Sequence, residues 1–268
     1  MKRGKCKLCL LEKDLQDSHL MPAAVYRRTL TPDAKNQHPV AITEKGMVHT
    51  SEQVRDFVFC RECEGRFDKG GENYAMRLIS TKTRFPLLEK LKTARCLTSR
   101  NGWRGYAEND TRDVNRDLIA YFAVSVFWRA SIHVWKWAEG RTAHIELGKK
   151  YNEAMRRYLL GALPFPINVN LFVVAATDWM TQDVFFMPTY NDRLGRGWQY
   201  SFGARGIAFM MQVGKDLPQY SRLVSCMNPP RYLWTKDGHD LTMQTLAHFR
   251  IQHPDYKAPA RDMESVGT

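Results

Sequence analysis

The chain is short of acid. It carries 40 Lys and Arg against 28 Asp and Glu, a formal net charge of +12 and a pI of about 9.5. That imbalance gives a polyanion a physical reason to bind, because each phosphate neutralised by a cation releases counterions. Long hydrophobic runs are also missing. The longest apolar stretch, "LIAYFAVSVFW", is broken at once by Arg129. It falls well short of the roughly 20 residues that a membrane span needs. The basic start "MKRGKCKLCL" runs into no apolar signal segment. The expectation is therefore a cytoplasmic protein with no membrane partner. A disulfide framework is missing as well: of six cysteines, four lie in two tight pairs, and Cys96 and Cys226 stand alone. In a reducing compartment such pairs read as metal ligands, and the lone thiols read as small buried apolar groups. Apolar material itself is not scarce. With 44% hydrophobic and 12% aromatic residues the chain can build a core, which excludes a disordered protein.

The pattern along the chain predicts an α+β protein with an N-terminal module (1–75), a connector (76–112) and a larger region (113–268). The first segment is polar and basic, with little apolar periodicity, so a bound metal would have to supply the stabilisation its core cannot. "TSRNGWRGYAENDTRD" reads as loop. From Val114 to Trp137, apolar residues recur at Leu118, Phe122, Val126, Ala130 and Val134. That stripe predicts a largely buried helix, capped by Asp113 or Asn115 and ended by Gly140. Its tryptophans, Trp128, Trp135 and Trp137, are expected in a core or an interface. A second helix is expected from His144 or Ile145 to Leu160. After Pro166, "INVNLFVVAATDW", "VFFMPTYND", "GWQYSFGARGIAFMMQVG" and "YSRLVSCMN" predict three to five mostly antiparallel strands. "LTMQTLAHFR" predicts a short last helix, and the tail from Pro254 reads as loose.

Cys6 and Cys9 form one CxxC, and Cys60 and Cys63 form another. Two intervening residues let both sulfurs of a pair reach one ion, and two pairs complete a tetrahedron of soft ligands suited to a structural zinc. A rival set would use His19 with three of the cysteines, but four thiolates already close the shell. Lys2, Arg3, Lys5, Lys7 and Arg61 lie near enough in sequence to offset the charge of four thiolates on one dication. The histidines outside the N-terminal motif show no ligand spacing, and His133 is expected to be a satisfied polar group in the core.

The order "CKLC", "DSHLMP", "FVFCRECEGRF" resembles the zinc-bearing HNH endonucleases, whose fold is a treble clef with a ββα-metal active site. The likeness covers roughly residues 1–75. It implies that His19 is the general base that deprotonates a water for attack on phosphorus, a role suited to a group that changes charge near neutral pH. The aspartate that usually precedes this histidine is replaced by Ser18, with Asp17 one step earlier. Glu64 stands where the family commonly has a histidine or asparagine ligand, and a carboxylate suits a hard cation such as Mg²⁺. The family's middle asparagine is absent from the window "SEQVRDFVFC". Glu72 lies about two helical turns beyond Glu64 and could reach the same ion.

The resemblance thus implies a metal-dependent nuclease acting on nucleic acid, with DNA the first expectation. Structural Zn²⁺ and a catalytic Mg²⁺ or other divalent cation would be its cofactors. His19 and Glu64 would be catalytic, Asp17 and Glu72 would be further ion ligands, and Arg61, Arg66 and Lys69 would contact phosphate. A non-catalytic zinc module that binds nucleic acid, or an interaction protein with a partner or second copy on its C-terminal region, is the alternative.

Overall fold

The computed structural model describes residues 2–29, 40–43, 46–49, 52–137, 142–194 and 197–238. The expected terminal helix at 241–250 and the tail from Pro254 lie outside them, as do His38, His239, His248 and His253.

The N-terminal part is built from β1 (Lys2–Lys5), β2 (Glu12–His19), α1 (Ala23–Thr29), a small hairpin of β3 (Val40–Thr43) and β4 (Gly46–His49), β5 (Arg55–Cys60) and α2 (Arg61–Phe67). β1, β2 and β5 form an antiparallel three-stranded sheet in that order. A π-helical turn, Asp68–Glu72, joins α2 to α3 (Asn73–Leu78), and α4 (Pro86–Thr93) follows, with proline at its first turn where a missing N–H does no harm.

The stretch expected as a loop is instead a hairpin of β6 (Thr98–Arg100) and β7 (Trp103–Tyr106). Asn101 (φ 49°) and Gly102 (φ 76°) make the tight turn that matches strand twist. The flanks, "TSR" and "WRGY", are only three to four residues long, too short for an alternation to announce the strands.

α5 (Arg116–Ile132) begins as predicted, with the Asn115 side chain accepting from the amide of Leu118 at 3.1 Å. It ends at His133 rather than at Gly140. From Ile119 to Ser131 every residue but Tyr121 is buried, so α5 is enclosed on all sides rather than amphipathic. After the short pair β8 (Trp135–Lys136) and β9 (Thr142–Ala143) comes α6 (Lys149–Leu159), shorter at its start than expected.

The remainder holds β10 (Val169–Ala176), α7 (Trp179–Gln182), β11 (Phe185–Leu194), β12 (Gly197–Ala204), β13 (Ile207–Val213), α8 (Gln219–Leu223) and β14 (Leu233–Lys236). "YSRLVSCMN", expected as a strand, supplies α8 and turns instead. A seven-stranded sheet runs β11-β12-β13-β10-β14-β7-β6. All its pairings are antiparallel except β10 with β14. Residues 76–112 are therefore more than a connector, since β6 and β7 close one side of this sheet.

α5 is the spine between the two sheets. Phe122 packs edge-on against Phe202 and Phe209 of the large sheet, while Trp128 stacks on Phe59 and meets Phe67 from the N-terminal side. Trp128 and Trp135 are fully buried, as expected of core tryptophans. Close approach is secured by the "GG" of the π-helical turn: a Cβ on Gly71 would stand 2.3 Å from the Leu118 carbonyl oxygen, and one on Gly70 2.4 Å from the Tyr121 ring.

Candidate metal centre and the histidine beside it

Cys6 and Cys9 flank a tight turn after β1. The Leu10 amide donates to the Cys6 carbonyl at 2.9 Å and the Cys6 amide to the Leu11 carbonyl at 2.9 Å, with Leu10 at φ 65°. Cys60 ends β5 and caps α2, which places Cys63 in the first helical turn. Pairing of β2 with β5 brings these two turns together. The four sulfurs lie within 4.8 Å of one another, and Cys9 Sγ and Cys60 Sγ are 4.0 Å apart. Four ligands at about 2.3 Å from one ion would lie about 3.8 Å apart at the corners of a tetrahedron. The cluster is thus only slightly more open than that tetrahedron, and it can hold a metal ion such as zinc.

Electrostatics point the same way. The Cys6 thiol is pulled down to about 4 by its hydrogen bond with Cys63 and by the amides of Cys9, Cys60 and Leu8, against the effect of burial. The Cys60 thiol is pushed up to about 11, first by burial, and the Cys63 thiol is pushed up by its bond to Cys6 and by burial. One thiolate forms readily and discourages its neighbours, so only a cation in their midst would let all four ionise. Cys226 is buried as expected, with its thiol pushed up to about 12 by burial, whereas Cys96 is partly exposed and donates to the Thr98 carbonyl.

His19 closes β2 opposite Arg55. Its Nε2 lies 2.8 Å from Gln53 Oε1. Facing a carboxamide oxygen, Nε2 would be the donor, which fits the neutral tautomer whose lone pair is on Nδ1. Gln53 sits in the window that lacks an asparagine; an amide is present there, one methylene longer. The His19 carbonyl accepts from Arg129 at 3.2 Å, so the buried spine helix fixes its backbone. Ser18 is buried and receives the Phe59 amide at 3.2 Å.

The carboxylates are placed separately. Asp17 is exposed and pairs with Arg55 at 2.9 Å. Glu72 is buried and forms a short ion pair with Arg129, whose guanidinium also lies 4.1 Å from the centre of the Phe67 ring. Burial pushes the Glu72 carboxyl up, opposed by Arg129 and aided by Glu64 and Asp68. Glu64 projects from α2 with Oε1 shielded from solvent and without a hydrogen-bond partner among the described residues. Arg61, Arg66 and Lys69 are exposed, and Arg66 donates to the Leu160 carbonyl at 3.3 Å. Among the described residues the four cysteines alone form a group of three or more side chains spaced as ion ligands. His19, Asp17, Glu64 and Glu72 do not gather into a second one.

Sequence reasoning misses the role of Arg129 and the pair of His133 with Asp56, whose Nε2 and Oδ2 are 2.9 Å apart. In the sequence Arg129 is only a break in an apolar run; a lone cation on a buried helix is itself the signal that an acid must face it. His133 is half-exposed at the end of α5 rather than enclosed in the core.

Among the described residues no helix is long and apolar enough to cross a membrane. No protein-family model matches the chain, and neither a curated protein nor a solved structure matches it.

Proposed function

We propose that the chain hydrolyses phosphodiester bonds in nucleic acid, DNA first, with His19 as general base in a treble-clef module of the ββα type held by a structural zinc. The observation that carries this reading is the His19 imidazole at the end of the cysteine-clasped sheet, held through Nε2 by Gln53. The order β2, β5, α2 agrees with it, as do the net charge of +12 and the exposed Arg61, Arg66 and Lys69 as phosphate contacts. In this reading His19 Nδ1 takes the proton from an attacking water while its carbonyl bond to Arg129 keeps the strand end from shifting.

The divalent cation expected beside His19 finds little prepared for it. Asp17 and Glu72 are each engaged by an arginine, and among the described residues Glu64 Oε1 is shielded from solvent without a hydrogen-bond partner. The same observation favours a second reading, a zinc-stabilised module that binds nucleic acid or protein without cleaving.

Nicking of supercoiled plasmid in Mg²⁺ or Mn²⁺ separates the two. His19→Ala is expected to lower the rate by about 10²- to 10⁴-fold, the usual contribution of a general base, with an unchanged melting curve. Glu64→Gln is expected to weaken the response to added cation. Absence of nicking by the wild-type protein, with salt-dependent duplex binding intact, would leave only the non-catalytic reading.

A further inference from the structure

We infer that the outer face of β6, β7 and β14 is a stacking platform for single-stranded nucleic acid. Strand alternation sorts this corner of the large sheet into two faces. Leu233, Thr235 and Tyr106 point inward and are buried. Tyr232, Trp234, Lys236 and Trp103 point outward and are half-buried, and Arg100, paired with Trp103 across the hairpin, is exposed. Trp234 lies opposite Gly105, and a Cβ there would stand 2.8 Å from the indole, so the absent side chain lets the ring settle on the sheet.

The rings are held in advance of any ligand. Trp234 donates from Nε1 to the Val224 carbonyl at 2.9 Å. Its ring centre is 5.2 Å from Tyr232 and 6.3 Å from Trp103. Lys236 Nζ donates to the Asn101 carbonyl at 2.8 Å and sits 5.9 Å from the centre of the Trp103 ring. Such fixing lowers the ordering cost that a ligand would otherwise meet.

Chemistry selects the occupant. Trp103 stands edge-on to Trp234 and Tyr232 is tilted against it, so the cluster offers aromatic surface in more than one plane for unstacked bases, and cations beside it suit the phosphates between them. Arg100 and Lys236 share this outer face, and the sequence between Glu89 and Glu108 carries no acid, so the hairpin is complementary to a polyanion rather than to an apolar or basic peptide. A duplex keeps its base faces stacked on one another, whereas a single strand can offer them. The platform is a binding site beyond phosphodiester cleavage and stands whether or not His19 acts as a base; it shares with that reading only the polyanionic partner.

The test is fluorescence anisotropy of a labelled 20-nucleotide oligothymidylate with the full-length His19→Ala protein, in buffer without Mg²⁺, Mn²⁺ or chelator. Trp103→Ala is expected to weaken binding about tenfold, within the range for loss of one base–aromatic stack. Trp103→Phe, which keeps a ring, is expected to restore most of it. Arg100→Ala is expected to flatten the slope of log K against log salt by about 0.7, the contribution of one phosphate on a single strand. A duplex of the same length is expected to bind more weakly and to ignore Trp103→Ala. Equal affinity with and without Trp103→Ala, with melting curves unchanged, overturns the inference. So does an equal loss with duplex and single strand, which would mark plain charge attraction. Absence of nicking by the wild-type protein, with oligothymidylate binding intact, would count against cleavage alone.

Discussion

A single side chain, Arg129, links the spine helix to the strand end that carries His19. It donates to the His19 carbonyl, pairs with the buried Glu72 and lies over Phe67. A buried ion pair adds little net stability against an apolar replacement of both partners, but removing one partner strands the other's charge. Arg129→Met is therefore expected to destabilise the protein by about 3–5 kcal/mol, read by denaturant unfolding. Arg129→Met combined with Glu72→Leu is expected to recover most of that loss. The Glu72 carboxyl adds a pH signature. Burial raises its folded pKa above the unfolded value, so the native state holds a proton that the unfolded chain has already released. Stability from this group is complete below the ordinary glutamate pKa and is lost as pH rises through the folded value. The stability of Glu72→Gln relative to wild type should accordingly grow with rising pH over that window. A relative stability that instead falls would mean that Arg129's attraction outweighs burial.

At the scale of elements, two glycines in adjoining turns should answer oppositely to the same substitution. Gly65 lies inside α2, and a Cβ added there would meet nothing within 4 Å, so Gly65→Ala is expected to stabilise by about 0.5–1 kcal/mol through backbone entropy. Gly71 lies against the backbone of α5, and Gly71→Ala is expected to cost about 1–3 kcal/mol by forcing the helices apart. Paired thermal melts check both signs, and a neutral Gly71→Ala would mean that the π-helical turn yields easily. Legibility in the sequence also divides at this scale. The four-cysteine clasp and the start of α5 can be read because ligand spacing and an Asn cap act locally. The hairpin at 98–106 cannot, although "NG" marks its turn: its strands are only three and four residues long, and β7 gains its further partner, β14, from more than a hundred residues away. The partners of Asp17 and Glu72 are also hidden. Arg55 reaches Asp17 through the register of β2 and β5, and Arg129 reaches Glu72 through helix packing, neither of which sequence distance reveals.

At the scale of the whole molecule, the decisive question is how far the cysteine clasp is felt. The polar N-terminal sequence predicts a module without a sufficient core of its own, and most of the buried apolar residues described form one continuous cluster from Cys6 to Leu233. Phe59 and Phe67 join it through Trp128 on one side of α5, while Phe122 and Phe127 join it through Phe202 on the other. Structural zinc in small modules supplies free energy on the order of 10–16 kcal/mol, comparable with the roughly 5–15 kcal/mol that separates a folded domain from its unfolded chain. If the core is cooperative, stripping the ion should act on all of it. Titration with a strong chelator is expected to release about one zinc per chain and to lower one melting transition seen alike by far-UV and near-UV circular dichroism. Cys60→Ala should reproduce the effect without chelator, because Cys60 is both a ligand candidate and the residue that starts α2. A melt that splits in two, with the later step unmoved by chelator, would show that the seven-stranded sheet and α5 stand without the clasp. The N-terminal module would then be a separately folding attachment, and His19 would lose its fixed place while the rest of the protein stayed intact.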